Sequence, residues 1–384
     1  MGSHNPHPNR RVIIIGGGVI GLSIGWRLVR AGCSVSIYER DCAGRSASWA
    51  AAGMLAPLAE VHLEETALLR LGSLSLEMYP EWTAALEADS GMPLGYRTEG
   101  TFIVGVDPDD ARELEHLYES QQFLNLPCEW LTGAEARERE PLLSPKITAA
   151  ISSPNDHQVD NRLMVHALIA AYGNAGGCLY ENAPVEKIEI RGEKAYGVWV
   201  DGVLEDCDVI VLAAGCWSSE IEGLPRNVKP PLRPVKGQIL SLQMESGLKL
   251  QKVIRTTRAK YPADVYLVPK HDGRLVIGAT SEEMGFDTRL TAGGIFELLR
   301  GAWEAVPGVY DLPIVETWTG LRPGSRDNAP ILGATAIENL VMATGHYRHG
   351  ILLAPVTARE IASLVLTGKT SEIISPFQLS RFAH

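Results

Sequence analysis

Gly16-Gly17-Gly18-Val19-Ile20-Gly21 fits G-x-G-x-x-G, and its surroundings leave little freedom in how the first forty residues fold. Val12 to Ile15 ahead of it read as a buried strand, Val19 to Arg30 as a helix, and Ser34 to Tyr38 as a second strand, which together make one βαβ start. In that setting Gly16 permits the tight turn, Gly18 lets the backbone approach a pyrophosphate, and Gly21 lets the helix pack closely on the strand. The helix N-terminus offers N–H groups and a partial positive charge to the phosphates. Glu39 closes the second strand eighteen residues after Gly21, where a carboxylate can accept hydrogen bonds from an adenosine ribose.

FAD and NAD share that adenosine diphosphate half, so the fingerprint fits both. Two later features favour FAD. The strand Val209 to Ala213, ending in Ala214-Gly215, would return to the same nucleotide. A helix from Ile351 to Leu366, begun after Gly350 with Pro355 in its first turn and stopped by Gly368, would aim its N-terminus at a second cofactor region. A flavin gains negative charge near N1 and C2=O on reduction, and a helix N-terminus stabilises charge there.

The rest of the chain alternates between two patterns. Helical spacing runs from Ala67 to Ala88, broken near Pro80; β character appears from Tyr96 to Val106 and again from Lys236 to Thr280. Within the latter, Val265 to Pro269 and Arg274 to Thr280 flank Lys270-His271-Asp272-Gly273 as a hairpin, with Asp-Gly supplying the positive φ. A helix near Asn161 to Gly173 and strands at Val185 to Ile190 and Val209 to Ala213 resume Rossmann patterning, as does the segment after Thr317. The expected fold is α/β: a discontinuous Rossmann-like FAD-binding domain (11–88, 145–225, 318–384) and a substrate domain on a mostly antiparallel sheet (89–144, 226–317). Residues 1–10 read as a tag-like or disordered N-terminus.

With 384 residues, 45% of them hydrophobic, the chain can bury a large core. Its net charge of -11 excludes a polyanion as main partner, because neutralising nucleic-acid phosphates needs a basic face. The six cysteines show no CxxC pair and no Cys/His cluster of metal-site spacing, so no metal is expected and free thiols in a cytoplasm are the simplest reading. Val12 to Trp26 behind Arg10 and Arg11 imitates an export signal, but glycines interrupt it and a second strand follows, so no membrane segment is expected.

Val12 to Ser23, Ala50-Ala51-Ala52-Gly53-Met54-Leu55, Gly320-Leu321-Arg322-Pro323-Gly324 and Gly345-His346-Tyr347-Arg348-His349-Gly350-Ile351-Leu352-Leu353-Ala354-Pro355 together resemble the glycine oxidases of the thiamine pathway. These belong to the D-amino-acid oxidase and sarcosine oxidase superfamily. The resemblance covers nearly the whole chain after Arg10. It implies an amino acid held over the isoalloxazine ring between the two domains, Arg322 pairing with its carboxylate, Tyr266 assisting through its hydroxyl, and Arg348 as a second active-site arginine. The cofactor residues then comprise Gly16, Gly18, Val19, Ile20, Gly21, Glu39, Arg40, Ser46, Ser48, Ala51, Ala52, Gly53 and Met54 from the first part of the chain. Val185, Ala214, Gly215 and Trp217 join them, with His346 to Leu352 (His346, Tyr347, Arg348, His349, Gly350, Ile351, Leu352) at the last helix. The resemblance also implies a homotetramer and hand-over of the imine to thiazole synthase.

Two positions depart from that pattern. Asp264 stands where a histidine is expected, and Ser281 where a larger apolar residue is familiar; bulky residues of the segment 55–63 could also close the pocket. No cysteine follows Arg322, so FAD is expected to be non-covalent. The chemistry implied is oxidation of a neutral amine by hydride transfer to flavin, giving an imino acid, then keto acid and ammonia, with dioxygen reduced to hydrogen peroxide. An arginine suits the carboxylate, because its planar fork makes paired charge-assisted hydrogen bonds. Two other functions remain open: a sarcosine or D-amino-acid dehydrogenase passing electrons to a quinone or protein, and a flavin-binding assembly protein without turnover.

Overall fold

A computed structural model describes residues 9–57, 65–245, 247, 249–257 and 264–382. The first residues, read as tag-like, and residues 58–63 of the stretch expected to close the pocket lie outside the described residues. The βαβ start forms as patterned, with β1 at Arg11–Ile15, α1 at Val19–Arg30 and β2 at Ser34–Tyr38. Among the described residues β1 lies inside a six-stranded sheet ordered Ile331–Ala334, Leu340–Thr344, Val209–Leu212, β1, β2, Cys178–Tyr180. All neighbours are parallel except Ile331–Ala334. Ile14, paired with Val211 and Ile37, is fully buried, as a strand covered on both faces requires.

An eight-stranded sheet carries the second body of β structure. Its order is Ile314–Gly324, Arg233–Gln243, Arg274–Gly278, Tyr266–Pro269, Val253–Thr257, Thr101–Gly105, Ala149–Ser153, Glu129–Thr132. Only Val253–Thr257 and Thr101–Gly105 run parallel. The expected hairpin is present, with Gly273 at φ 84° in its turn.

Three expectations need correction. The helix Thr66–Ser90 is not broken at Pro80. Proline costs an interior helix about 3 kcal/mol, whereas burying Leu71, Tyr79, Trp82 and Leu86 returns about 1.5–3 kcal/mol apiece, so packing decides. Val185–Arg191 is not a Rossmann strand: it joins Lys194–Val200 and Val203–Asp206 in a small antiparallel sheet. Its Val185 and Ile188 are buried while Glu186 and Lys187 are exposed, because a register shift at Glu186, between the pairs Lys187–Trp199 and Val185–Val200, interrupts the two-residue alternation. Cys178–Tyr180, only three residues long, takes the sheet edge beside β2 instead. Finally, the return after Thr317 comes later, since Ile314–Gly324 is the edge strand of the eight-stranded sheet, to which Ala149–Ser153 also belongs.

The last helix, Gly350–Thr367, ends at Gly368 with φ 71°. It is long and apolar enough to cross a membrane but is mostly buried, packed on α1 and on Thr66–Ser90. Pro355 lies in its second turn and cannot bond the Ile351 carbonyl. The Tyr79 hydroxyl donates to that oxygen at 2.5 Å, and Ser75 Oγ donates to the next carbonyl, Leu352, at 2.6 Å.

Candidate active site

A cavity of about 530 Å3 opens between the two large sheets. At one wall, Gly16 adopts φ 107°, and a Cβ there would stand 2.5 Å from the Ala213 carbonyl oxygen. Gly21 lies behind the wall: its Cβ would meet Gly16 O at 2.0 Å, so its absence lets α1 reach the loop. The Gly17 N–H donates to Glu39 Oε2 at 2.8 Å, which joins the end of β2 to the glycine loop. Ser48 Oγ accepts from the Val19 N–H at 2.9 Å in the first turn of α1. These are features of a phosphate-binding helix N-terminus, with close backbone approach that side chains would obstruct.

The segment Ala51–Met54 forms the adjoining wall. Gly53 has φ 78°, and a Cβ on it would lie 2.0 Å from Val159 O. Behind it the buried Lys270 ammonium donates to the carbonyls of Ala52 at 2.7 Å and Val159 at 2.9 Å. Burial lowers its pKa to about 8, with Asp160 the main countercharge acting against that. Arg40 stacks on Trp217, its guanidinium carbon 3.6 Å from the ring centroid, at the same cavity.

The far wall belongs to the eight-stranded sheet. Arg322 pairs in register with Val235, and its NH1 donates to Thr280 O at 3.0 Å and to Lys236 O at 3.4 Å. The strand runs straight through Arg322 and Pro323 to Gly324. The guanidinium lies over Gly237, where a Cβ would be 2.4 Å from NH2. Tyr266, which opens its strand, covers Gly278 in the same way, with a Cβ there 2.5 Å from the phenolic oxygen.

At the start of the last helix, Tyr347 takes φ 48° and Arg348 is exposed, its guanidinium carbon 5.1 Å from the Tyr347 ring. His346 is buried, its Nε2 3.1 Å from Thr357 Oγ1. Burial, with His349 nearby, lowers its pKa to about 3, so it is a neutral structural group at any working pH.

Of the residues expected from sequence, all line this cavity except Gly21. Val185, Ala214, Gly215 and Ser46 are among them. Asp264 and Ser281 also line it. Gly237 and Arg255, which line it too, were not foreseen, nor was Lys270 behind it. An isolated glycine within the strand pattern Arg233 to Gln243 was a usable signal of close approach for Gly237. Arg255 sits opposite Tyr266 across two strands, a pairing no local period reveals. Among the described residues no His/Cys/Asp/Glu group could hold a metal ion.

The fold and cavity thus define a dinucleotide-binding protein with two large sheets and a cation-lined chamber beside the nucleotide site. Comparison with known proteins narrows that class. Residues 11–364 match the family described as FAD dependent oxidoreductase (DAO), and the chain belongs to that family. The bifunctional protein ThiO/ThiG of Trichormus variabilis is 37% identical over 97% of this chain and 55% of its own length, so the chain spans about half of that relative. Glycine oxidase of Geobacillus kaustophilus is 34% identical over 96% of both chains. Its crystal structure superposes with a TM-score of 0.89 at 33% identity, covering 97% of this chain and 99% of that one. The cofactor is therefore FAD, and the cradle at Gly16, Gly18 and Gly53 fits it.

Proposed function

We propose that the protein catalyses oxidative deamination of glycine and other small amines, sarcosine and small D-amino acids among them. The observation that carries the reading is the Arg322 guanidinium, fixed by two backbone carbonyls over a glycine, lining the same cavity as the glycine loop and the last helix. The six-stranded sheet with its helices would be the FAD half, the eight-stranded sheet the substrate half.

In this reading Gly16, Gly18, Val19, Ile20 and Ser48 hold the pyrophosphate, Glu39 the ribose, and Ala51 to Met54 with His346 to Leu352 the ring. Bound FAD supplies two-electron oxidation of the amine to an imine, with dioxygen the final acceptor. Arg322 fixes the substrate carboxylate by charge-assisted hydrogen bonds, Tyr266 offers its hydroxyl to the same end, and Arg348 sits at the cavity as a second cation. No side-chain base is needed, because the α-hydrogen leaves with its electron pair once orientation is right. Products are keto acid and hydrogen peroxide, with ammonia from glycine and the D-amino acids and methylamine from sarcosine. Free thiols at all six cysteines support a cytoplasmic setting. The resemblance implies a homotetramer and an imine passed to thiazole synthase; the two-part ThiO/ThiG relatives support such a partner.

The testing assay measures oxygen uptake and peroxide with glycine, sarcosine, D-alanine, D-valine and L-alanine. Glycine and sarcosine should lead, D-alanine follow and L-alanine fail. A preference for D-valine over glycine rejects the reading, and flavin bleaching by glycine without peroxide in air makes the protein a dehydrogenase. Acid precipitation should release yellow FAD from a colourless pellet.

A further inference from the structure

The reverse face of the substrate sheet carries an ion pair that the proposed chemistry does not use. Lys236 is 1% exposed, and its ammonium lies 2.9 Å from Glu282 Oε2 while donating to Arg289 O at 3.1 Å. The other carboxylate oxygen, Oε1, accepts from Thr280 Oγ1 at 2.5 Å and Gln238 Nε2 at 2.7 Å. The backbones of the pair are bridged as well, Lys236 N to Glu282 O at 2.8 Å and Glu282 N to Lys236 O at 2.9 Å. Burial raises the carboxyl pKa, but hydrogen bonds from Thr280, Gln238 and Lys236 outweigh it and the net shift is downward.

Alternation along Arg233–Gln243 puts Lys236 and Gln238 on the opposite face from Gly237, over which the Arg322 guanidinium lies. The two carbonyls that receive Arg322 NH1 belong to Lys236 and Thr280, the two residues whose side chains Glu282 ties together. We propose that Glu282 is a positioning residue for the Arg322 clamp: through Lys236 and Thr280 it holds from behind the two carbonyls that set the guanidinium. Glu282 itself has no place on the substrate side. The inference rests on the reading of Arg322 as the carboxylate clamp. Loss of the Glu282 charge leaves the buried Lys236 ammonium with neutral acceptors only, and the segment bearing Thr280 O, just past the end of Arg274–Gly278, shifts to resolve it.

The test compares Glu282→Gln, Arg322→Lys and the double variant as holoenzymes. For Glu282→Gln we expect KM for glycine and the dissociation constant of acetate, read from the flavin spectrum, to rise together about tenfold or more. kcat should stay within about threefold and FAD affinity should be unchanged. In the Arg322→Lys background the same substitution should add less than about twofold, because the clamp it serves is already lost. A raised KM in Arg322→Lys with an unchanged KM in Glu282→Gln overturns the positioning role alone. An unchanged KM in Arg322→Lys overturns the clamp and this role with it. Equal effects of Glu282→Gln in both backgrounds, or a lowered melting temperature with no change in acetate binding, also overturn it. Should Glu282→Gln fail to retain FAD, Thr280→Val cuts the same tie without stranding the lysine, and must raise KM in the same direction.

Discussion

At the scale of single residues, the environment of a side chain decides what its removal does. Arg322 is half-buried and set by Thr280 and Lys236 carbonyls, so Arg322→Ala should remove one member of a desolvated ion pair with substrate. That costs about 3–5 kcal/mol, or roughly two to three and a half powers of ten in KM, with FAD content unchanged. Tyr266→Phe loses one neutral hydrogen bond, about 1 kcal/mol, and steady-state kinetics on the two variants should separate them clearly. His346 gives a different kind of prediction. Its folded pKa of about 3 lies below the ordinary 6.5, so between those values the unfolded chain holds a proton that the folded one lacks. The stability this neutral imidazole contributes is present above pH 6.5 and is lost as pH falls toward 3. Urea midpoints should fall over that window, and His346→Asn should flatten the fall; an unchanged slope would show that His346 is not the group titrating.

Elements were legible where their own sequence sets them. α1 and β2 lie where hydrophobic period and the glycine run place them, and Gly368 ends the last helix in the left-handed conformation its position suggested. Most of the cavity was legible for the same reason, since Gly16, Glu39 and the stretch from His346 to Leu352 sit at the ends of such elements. Illegible were features fixed by partners far along the chain. The sheet to which Val185–Arg191 or Ile314–Gly324 belongs depends on pairing, not period. Survival of the helix through Pro80 depends on what Tyr79 and Trp82 meet. Tyr79 itself ties two elements by donating to the Ile351 carbonyl that Pro355 leaves without its helical donor. Tyr79→Phe should therefore keep the packing but strand a buried carbonyl at the cavity end of the last helix, costing about 1–3 kcal/mol in chemical denaturation. A loss near zero would mean that another donor reaches Ile351.

Across the whole molecule, a handful of bonds hold the two sheets about the cavity. Trp318 Nε1 donates to Ala50 O at 3.1 Å, Arg162 pairs with Glu316 at 2.7 Å, and Arg274 with Asp160 at 2.8 Å. Lys270 is the most buried of these ties, reaching from the hairpin of one sheet to Ala52 and Val159 beside the other. Replacing it by methionine keeps most of the volume but leaves two buried carbonyls without a donor, at about 1–3 kcal/mol each, offset by removal of a buried charge. The variant should be less stable at neutral pH, and because Gly53 follows one of those carbonyls it should release FAD more readily. The pH dependence fixes the cause. Lys270 has a folded pKa of about 8 against an ordinary 10.5, so between these values the unfolded chain keeps a proton that the folded chain has given up. Folding is then favoured progressively as pH rises from 8 toward 10.5, while the neutral amine retains two N–H groups for the same two carbonyls. Lys270→Met has no such proton to lose. The stability difference between wild type and variant, from denaturation midpoints at pH 7, 8.5 and 9.5, should therefore widen with pH. A difference that stays flat, or closes, would place the ammonium in contact with water and remove Lys270 from the set of bonds that hold the cavity together.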